Sequence, residues 1–199
     1  LRENFSESAL IKIRFDIEIE WLLYICVNLP KTFKPLSKQS IKKIAKFKDS
    51  FDNKSVLKIK KIESTTNHDV KAVEYYIRDY FLKDKVLSTY IHLIHFGLTS
   101  EDINSLSYAH MIKNGISIYM KELDKVNKIL KNYSKKWAKQ AFLARTHGQA
   151  ASPSTLGKEF KVFHERINRE IQHLKSIEPL AKFSGATGNY HTFEIVDSK

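Results

Sequence analysis

The chain has 199 residues, 42% of them apolar and 28% charged, which is ordinary for a water-soluble fold and long enough to bury a core. Its single cysteine, Cys26, excludes an intrachain disulfide and fits a reducing compartment, and no uncharged run approaches the roughly 18 residues of a membrane span. The net charge of +12 comes from lysine, with 28 Lys among 34 basic residues. No basic stripe interleaved with aromatics accompanies it, so most lysines read as solvated helix faces, and the excess as a field that draws an anionic substrate. The N-terminus carries no signal-peptide pattern, and a cytoplasmic, soluble protein is expected.

Gly and Pro number six and four, and long-chain residues dominate, so the expected fold is all-α. Residues 6 to 29 predict a helix capped by Ser6 or Ser8, with Leu10, Ile13, Ile17, Trp21 and Tyr24 near helical spacing. Pro30 and Pro35 bracket a loop. Ser37 caps the next helix, through Ile41, Ile44, Phe47 and Phe51, and Asp52-Asn53 ends it. A short helix through Val56, Ile59 and Ile62 follows.

Glu63 to Asp69 is a first polar interruption, after which Asp69 is expected to cap a helix bearing Val70, Val73, Tyr76, Ile77 and Phe81. Lys83-Asp84-Lys85 breaks again, and Val86 to Phe96 predicts another short helix. The second polar interruption is Gly97 to Asp102, where Thr99 and Asp102 have capping-box spacing. From Ile103 to about Gln140 the apolar pattern continues without proline. A helix of that length belongs in a bundle. The third interruption runs from Arg145 to Thr155. Thr155 then caps a second long helix, carrying Phe160, Phe163, Ile167, Ile171 and Leu174. Pro179 ends it, and a glycine-containing turn follows at Phe183 to Tyr190. The domain division expected is 1–98, an N-terminal helical domain, and 99–199, the start of a long-helix bundle.

The three polar interruptions carry the groups that chemistry needs. Each is read at a helix terminus, where free N–H groups and the positive dipole end suit an anion. Thr99 and Ser100 supply hydroxyls for a carboxylate, and His68 and His147 supply imidazoles for a proton. Taken singly, Asp69, Thr99, Ser100 and Thr155 are more often no more than caps, and His147 before Gly148 is more often a turn residue than a catalyst. His92 and His95 share a helix face, but no third ligand is placed, so packing rather than metal binding is expected.

The residues together resemble the adenylosuccinate lyase family of the fumarase/aspartase superfamily. Thr65 to Tyr75 reproduces the family string Thr-Thr-Asn-His-Asp-Val-Lys-Ala-Val-Glu-Tyr. His95-Phe96 with Thr99 to Asn104, Arg145 to Gln149 with Ser152 to Thr155 and Gly157 to Glu159, and Gly185-Ala186 with Gly188 to Tyr190 match further blocks in the family's order. Ala150 stands where many relatives have proline. The resemblance implies elimination of fumarate from adenylosuccinate, and from the succinylated aminoimidazole carboxamide ribotide of purine synthesis, with no metal or organic cofactor. It implies His147 as general acid, His68 with Asn67 and Asp69 binding substrate and orienting the acid, Thr99 and Ser100 at the substrate's carboxylate end, and Gln149 among the substrate-binding residues. It also implies a homotetramer with composite sites. The family's serine base, on a downstream loop, has no counterpart here, so the sequence corresponds to an N-terminal portion, inactive by itself. Two other readings stand beside this one: a superfamily lyase with another substrate such as argininosuccinate, and a basic helical module binding nucleic acid or scaffolding proteins. The intact His68, Thr99, Ser100 and His147 favour the enzyme, with neither nucleic acid nor membrane as partner.

Overall fold

The computed structural model describes residues 1–196 and is mostly helical. The chain divides into two compact units, one of Leu1–Ile112 with the segment from Leu180 onward, the other of Lys113–Pro179.

In the first unit, α1 (Arg2–Phe5) leads into α2 (Glu7–Asn28), and Ser6 caps α2 by accepting the Ala9 N–H. Helix α2 is the centre of the unit because one face recurs at steps of three and four: Ile11, Phe15, Leu22 and Ile25 are all buried, with Ile19 between them. Ser37 caps α3 (Lys38–Asp49), and Asp52 caps α4 (Asn53–Thr66) in a reciprocal box with Ser55. Helix α5 (Asp69–Phe81) follows, then a 3₁₀ helix at Leu87–Leu93. Against α2 these elements bury Ile44, Phe47, Ile59, Val73, Ile77, Phe81, Leu87 and Leu93. Aromatic rings fill the wider gaps: Phe47 stacks on Tyr80 with centroids 3.6 Å apart and meets Phe15 edge-on at 5.1 Å. The polar tips of buried rings are satisfied, Tyr90 donating to the Pro35 carbonyl at 3.0 Å and Trp21 to that of Phe96 at 2.8 Å.

The link between α4 and α5 differs from expectation. Helix α4 runs on to Thr66, so the break narrows to Asn67-His68. Asn67 ends α4 in the left-handed region (φ 51°), which a short polar side chain tolerates. The cap of α5 is His68 and not Asp69: His68 has extended backbone, and its Nδ1 accepts the Lys71 N–H at 3.3 Å. Asp69 already lies in the helix, and its carboxylate is shared between the Val70 N–H and Arg14.

The long helix is α6 (Ser100–Lys136), about 55 Å at 1.5 Å per residue. It stops short of Gln140 because the chain turns into a hairpin, the one departure from all-α structure among the described residues. Strand β1 (Ala141–Thr146) pairs antiparallel with β2 (Gln149–Thr155). Helix α7 (Leu156–Lys175) follows, its Thr155 cap accepting the Lys158 N–H as expected. In this second unit, Tyr133, Trp137 and Phe160 cluster with centroids 4.6–5.3 Å apart. Gly157 is where α7 touches the end of α6: a Cβ there would lie 2.5 Å from the Ser134 carbonyl oxygen. Tyr119, Val126, Ile129 and Phe163 of these helices remain about half exposed. In the first unit, the segment from Leu180 ends in α8 (His191–Val196).

No helix among the described residues is long and apolar enough to cross a membrane.

Candidate active site

Two helix N-termini meet in the first unit. His68 caps α5 and Ser100 opens α6, and His68 Nε2 lies 3.4 Å from Ser100 Oγ. Because Nδ1 already accepts the Lys71 N–H, a neutral His68 ring carries its proton on Nε2. That proton faces Ser100 and the open side of the site. The positive dipole ends of α5 and α6 add to the same place, which suits a carboxylate or phosphate oxygen. An open cleft of about 580 Å³ adjoins it, lined by Lys60, Glu63, Ser64, Asn67, His68 and Asp69.

Asp69 anchors this corner. Its Oδ2 meets Arg14 Nη2 at 2.7 Å, its Oδ1 accepts the Val70 N–H at 2.8 Å, and Oδ1 stands 3.6 Å from His68 Nδ1. Partial burial alone would raise its pKa, but the Val70 N–H, the Arg14 charge and hydrogen bond, and His68 together hold it below the ordinary value. Arg14 is 5% exposed, a buried cation on α2.

Asp102 anchors the other side. It is fully buried and accepts four hydrogen bonds: from Thr99 N (2.9 Å) and Gly185 N (3.1 Å) on Oδ2, and from Lys182 Nζ (2.6 Å) and Ser184 N (3.0 Å) on Oδ1. Burial would raise its pKa, but Lys182 with the Thr99 and Ser184 N–H groups lowers it. The Thr99 N–H bond is the backbone half of the expected capping box. The bonds to Ser184 and Gly185 tie the glycine-containing turn to the start of α6, a role the sequence did not disclose.

His147 and Gln149 belong to the second unit. His147 with Gly148 forms the two-residue turn of the β1–β2 hairpin, Thr146 pairing with Gln149. Both turn residues have positive φ, 52° and 76°, as a type I′ turn requires, and glycine supplies the second without strain. The expectation that His147 sits at a helix terminus is therefore corrected: seven residues lie between it and the Thr155 cap. Arg145 braces the turn, donating to the Gly148 carbonyl at 3.3 Å. The His147 side chain is exposed.

The structure thus assembles Asn67, His68, Asp69 and Ser100, with Thr99 adjoining, in the first unit, and carries His147 and Gln149 on a hairpin tip in the second. Among the described residues no group of three His, Cys, Asp or Glu side chains is placed to hold a metal. His92 and His95 do not share a helix face: His95 lies beyond the 3₁₀ helix in left-handed conformation (φ 61°) and turns its ring to Glu18.

In sequence the chain is similar to adenylosuccinate lyases. The chain is 40% identical over 202 residues to adenylosuccinate lyase of Buchnera aphidicola subsp. Schizaphis graminum, covering all of this chain and 44% of that protein. It is 40% identical to that of Legionella pneumophila strain Corby (96% of this chain, 42% of that one) and 39% identical to that of Dictyostelium discoideum (98% and 43%). The chain therefore spans less than half the length of these relatives. Among solved structures, fumarate lyase from Mesorhizobium sp. BNC1 superposes with a TM-score of 0.79 at 20% identity (96% of this chain, 43% of that one). The 3-carboxy-cis,cis-muconate lactonizing enzyme from Pseudomonas putida gives 0.76 at 19% (96% and 42%), and these two show the fold alone. The model of the Lyase family matches residues 1–198, and the chain belongs to that family, similar along its whole length to the N-terminal portion of adenylosuccinate lyases.

Proposed function

We propose that this chain supplies the acid side and the anion-binding wall of an adenylosuccinate lyase. The reaction is a β-elimination. A base takes the proton beta to the leaving nitrogen, the carbanion is held as an aci-carboxylate, the C–N bond breaks, and an acid protonates the nitrogen. Fumarate leaves, and AMP remains; with the succinylated ribotide the product is the aminoimidazole carboxamide ribotide. His147, exposed on a braced turn, is the proton donor, and a histidine so placed is typically worth about 10² to 10⁴ in rate. Thr99 and Ser100 at the start of α6 bind the carboxylate end. His68 donates through Nε2, its ring held by the Lys71 N–H, while Asn67, Asp69 and Gln149 complete the binding surface. The base comes from outside this chain, and the half-exposed apolar residues of α6 and α7 are faces for the other helices of a homotetrameric bundle.

The observation that carries this reading is the pairing of His68 Nε2 with Ser100 Oγ at two converging helix starts, in a chain 40% identical to adenylosuccinate lyases. A substrate panel on the full-length protein tests it. Adenylosuccinate and the succinylated ribotide should release fumarate and argininosuccinate should not. Cleavage of argininosuccinate instead would replace the substrate assignment. Absence of all cleavage, with duplex binding falling steeply in salt, would favour a basic nucleic-acid module.

A further inference from the structure

The first unit buries a second set of charges that the proposed reaction does not use. Glu18, Glu74 and Arg14 are 1%, 4% and 5% exposed. His95 Nδ1 lies 2.6 Å from Glu18 Oε1, and its Nε2 lies 3.8 Å from Glu74 Oε1. The other Glu74 oxygen accepts Lys71 Nζ at 2.9 Å, and Arg14, one turn before Glu18 on α2, pairs with Asp69. Both nitrogens of one imidazole thus face carboxylates from two different helices. Glu18 Oε2 has no hydrogen-bond partner and leaves further negative charge in the same place. With His95 protonated, three cations (Arg14, Lys71, His95) face three carboxylates (Glu18, Asp69, Glu74). With it neutral, a buried carboxylate is left uncompensated, which a protein interior resists strongly.

We infer that His95 is held as an imidazolium between Glu18 of α2 and Glu74 of α5, and that this buried clamp is a positioning element that fixes the Phe96–Ser100 segment and so sets Ser100 opposite His68. The backbone supports the assignment. His95 takes a left-handed conformation unusual for a residue with a side chain, and Gly97 turns again at φ 71°. Such a conformation persists where the surroundings over-determine it. Here the Glu18 and Glu74 contacts hold the ring, and Trp21 Nε1 holds the Phe96 carbonyl. Lys71 joins the clamp to the site, since its N–H fixes the His68 ring and its Nζ pairs with Glu74.

Burial alone would lower the pKa of His95. The hydrogen bond to Glu18, then the charges of Glu18 and Glu74, outweigh burial and the nearby Lys71 charge and raise it. Burial raises Glu18, and His95 pulls it back only in part. A raised histidine stabilises the fold fully below its unfolded pKa and loses that contribution as pH rises through the folded value, so the clamp loosens on the alkaline side. The clamp is independent of the reaction; only its catalytic consequence rests on the lyase reading.

Ring-nitrogen NMR of this chain, as wild type, Glu18→Gln and His95→Gln, tests the inference without turnover. His95 should show both nitrogens protonated through neutral pH, deprotonating only at alkaline pH as thermal stability falls. Glu18→Gln, which keeps the shape and removes the charge, should lower the His95 midpoint by about one unit or more, tenfold in the proton affinity. Both variants should move the His68 ring and Ser100 amide signals and leave His173, on exposed helix surface, unmoved. If His95→Gln does not fold, Glu18→Gln decides alone. A wild-type His95 that titrates like an exposed histidine overturns the clamp. So does a Glu18→Gln chain whose His95 midpoint or Ser100 amide is unchanged.

Discussion

Replacing Asp102 by Asn tests what holds the start of α6. Each carboxylate oxygen accepts two donors, Lys182 Nζ and Ser184 N on one, Thr99 N and Gly185 N on the other. Asn offers one oxygen and presents an NH₂ to the remaining two donors. The cheaper orientation keeps the oxygen on Thr99 and Gly185, because Lys182, with its side chain 36% exposed, can turn to water. The Ser184 N–H is then orphaned in a buried place and the charge-assisted bonds are weakened. An unsatisfied buried donor costs about 1–3 kcal/mol, and bonds to a charged group are worth about 1.5–3, so Asp102→Asn should destabilise by roughly 2–4 kcal/mol. For a chain of this size that is a fall in Tm of about 5–15 °C. Thermal and urea melts followed by circular dichroism measure it, with the Ser100 and Gly185 amides as local reporters. A change below about 0.5 kcal/mol, the range of an ordinary surface substitution, would refute the claim that this carboxylate ties α6 to the Ser184–Gly185 turn.

Gly157→Ala should destabilise the second unit by about 1–3 kcal/mol despite alanine's better helix propensity. The new Cβ meets backbone atoms of Ser134 and Ala138 that no rotamer change can move, and a urea melt of equal or greater midpoint would contradict this. Asp69 and Asp102 both titrate below the ordinary 3.8, so they stabilise above that pH and cease to as pH falls through their folded values. Acid unfolding of the wild type should accordingly be steeper than that of Asp102→Asn in titrations followed by circular dichroism. The chain alone should release no fumarate from adenylosuccinate; detectable release by the purified chain would show that it contains its own base.

Much of the helical scaffold was legible because caps are local. Ser6, Ser37 and Thr155 each sit directly before an apolar periodicity, and each side chain accepts the N–H three residues on. The hairpin was not legible: Ala141–Thr155 contains Pro153 and a run of small residues, and its turn uses His-Gly where Asn-Gly would have announced it. That His68 and not Asp69 caps α5 was hidden because Arg14, which pairs with Asp69 Oδ2, lies more than fifty residues away in sequence. The same reason hid the His95 clamp. On α2 the charges alternate with apolar residues, and only the fold reveals that Arg14 and Glu18 point inward while Glu20 stays at the surface. Of the site, the residue types were readable from the motifs. Their joining was not, since the 3.4 Å approach of His68 to Ser100 depends on how α5 and α6 are set in the first unit.

The most direct test of the central claim is the steady-state kinetics of His147→Ala in the full-length protein with adenylosuccinate. If His147 is the proton donor, kcat falls by about 10² to 10⁴ with KM changed only slightly, because the group acts on the leaving nitrogen and not on ground-state binding. An unchanged kcat would remove His147 from the acid role.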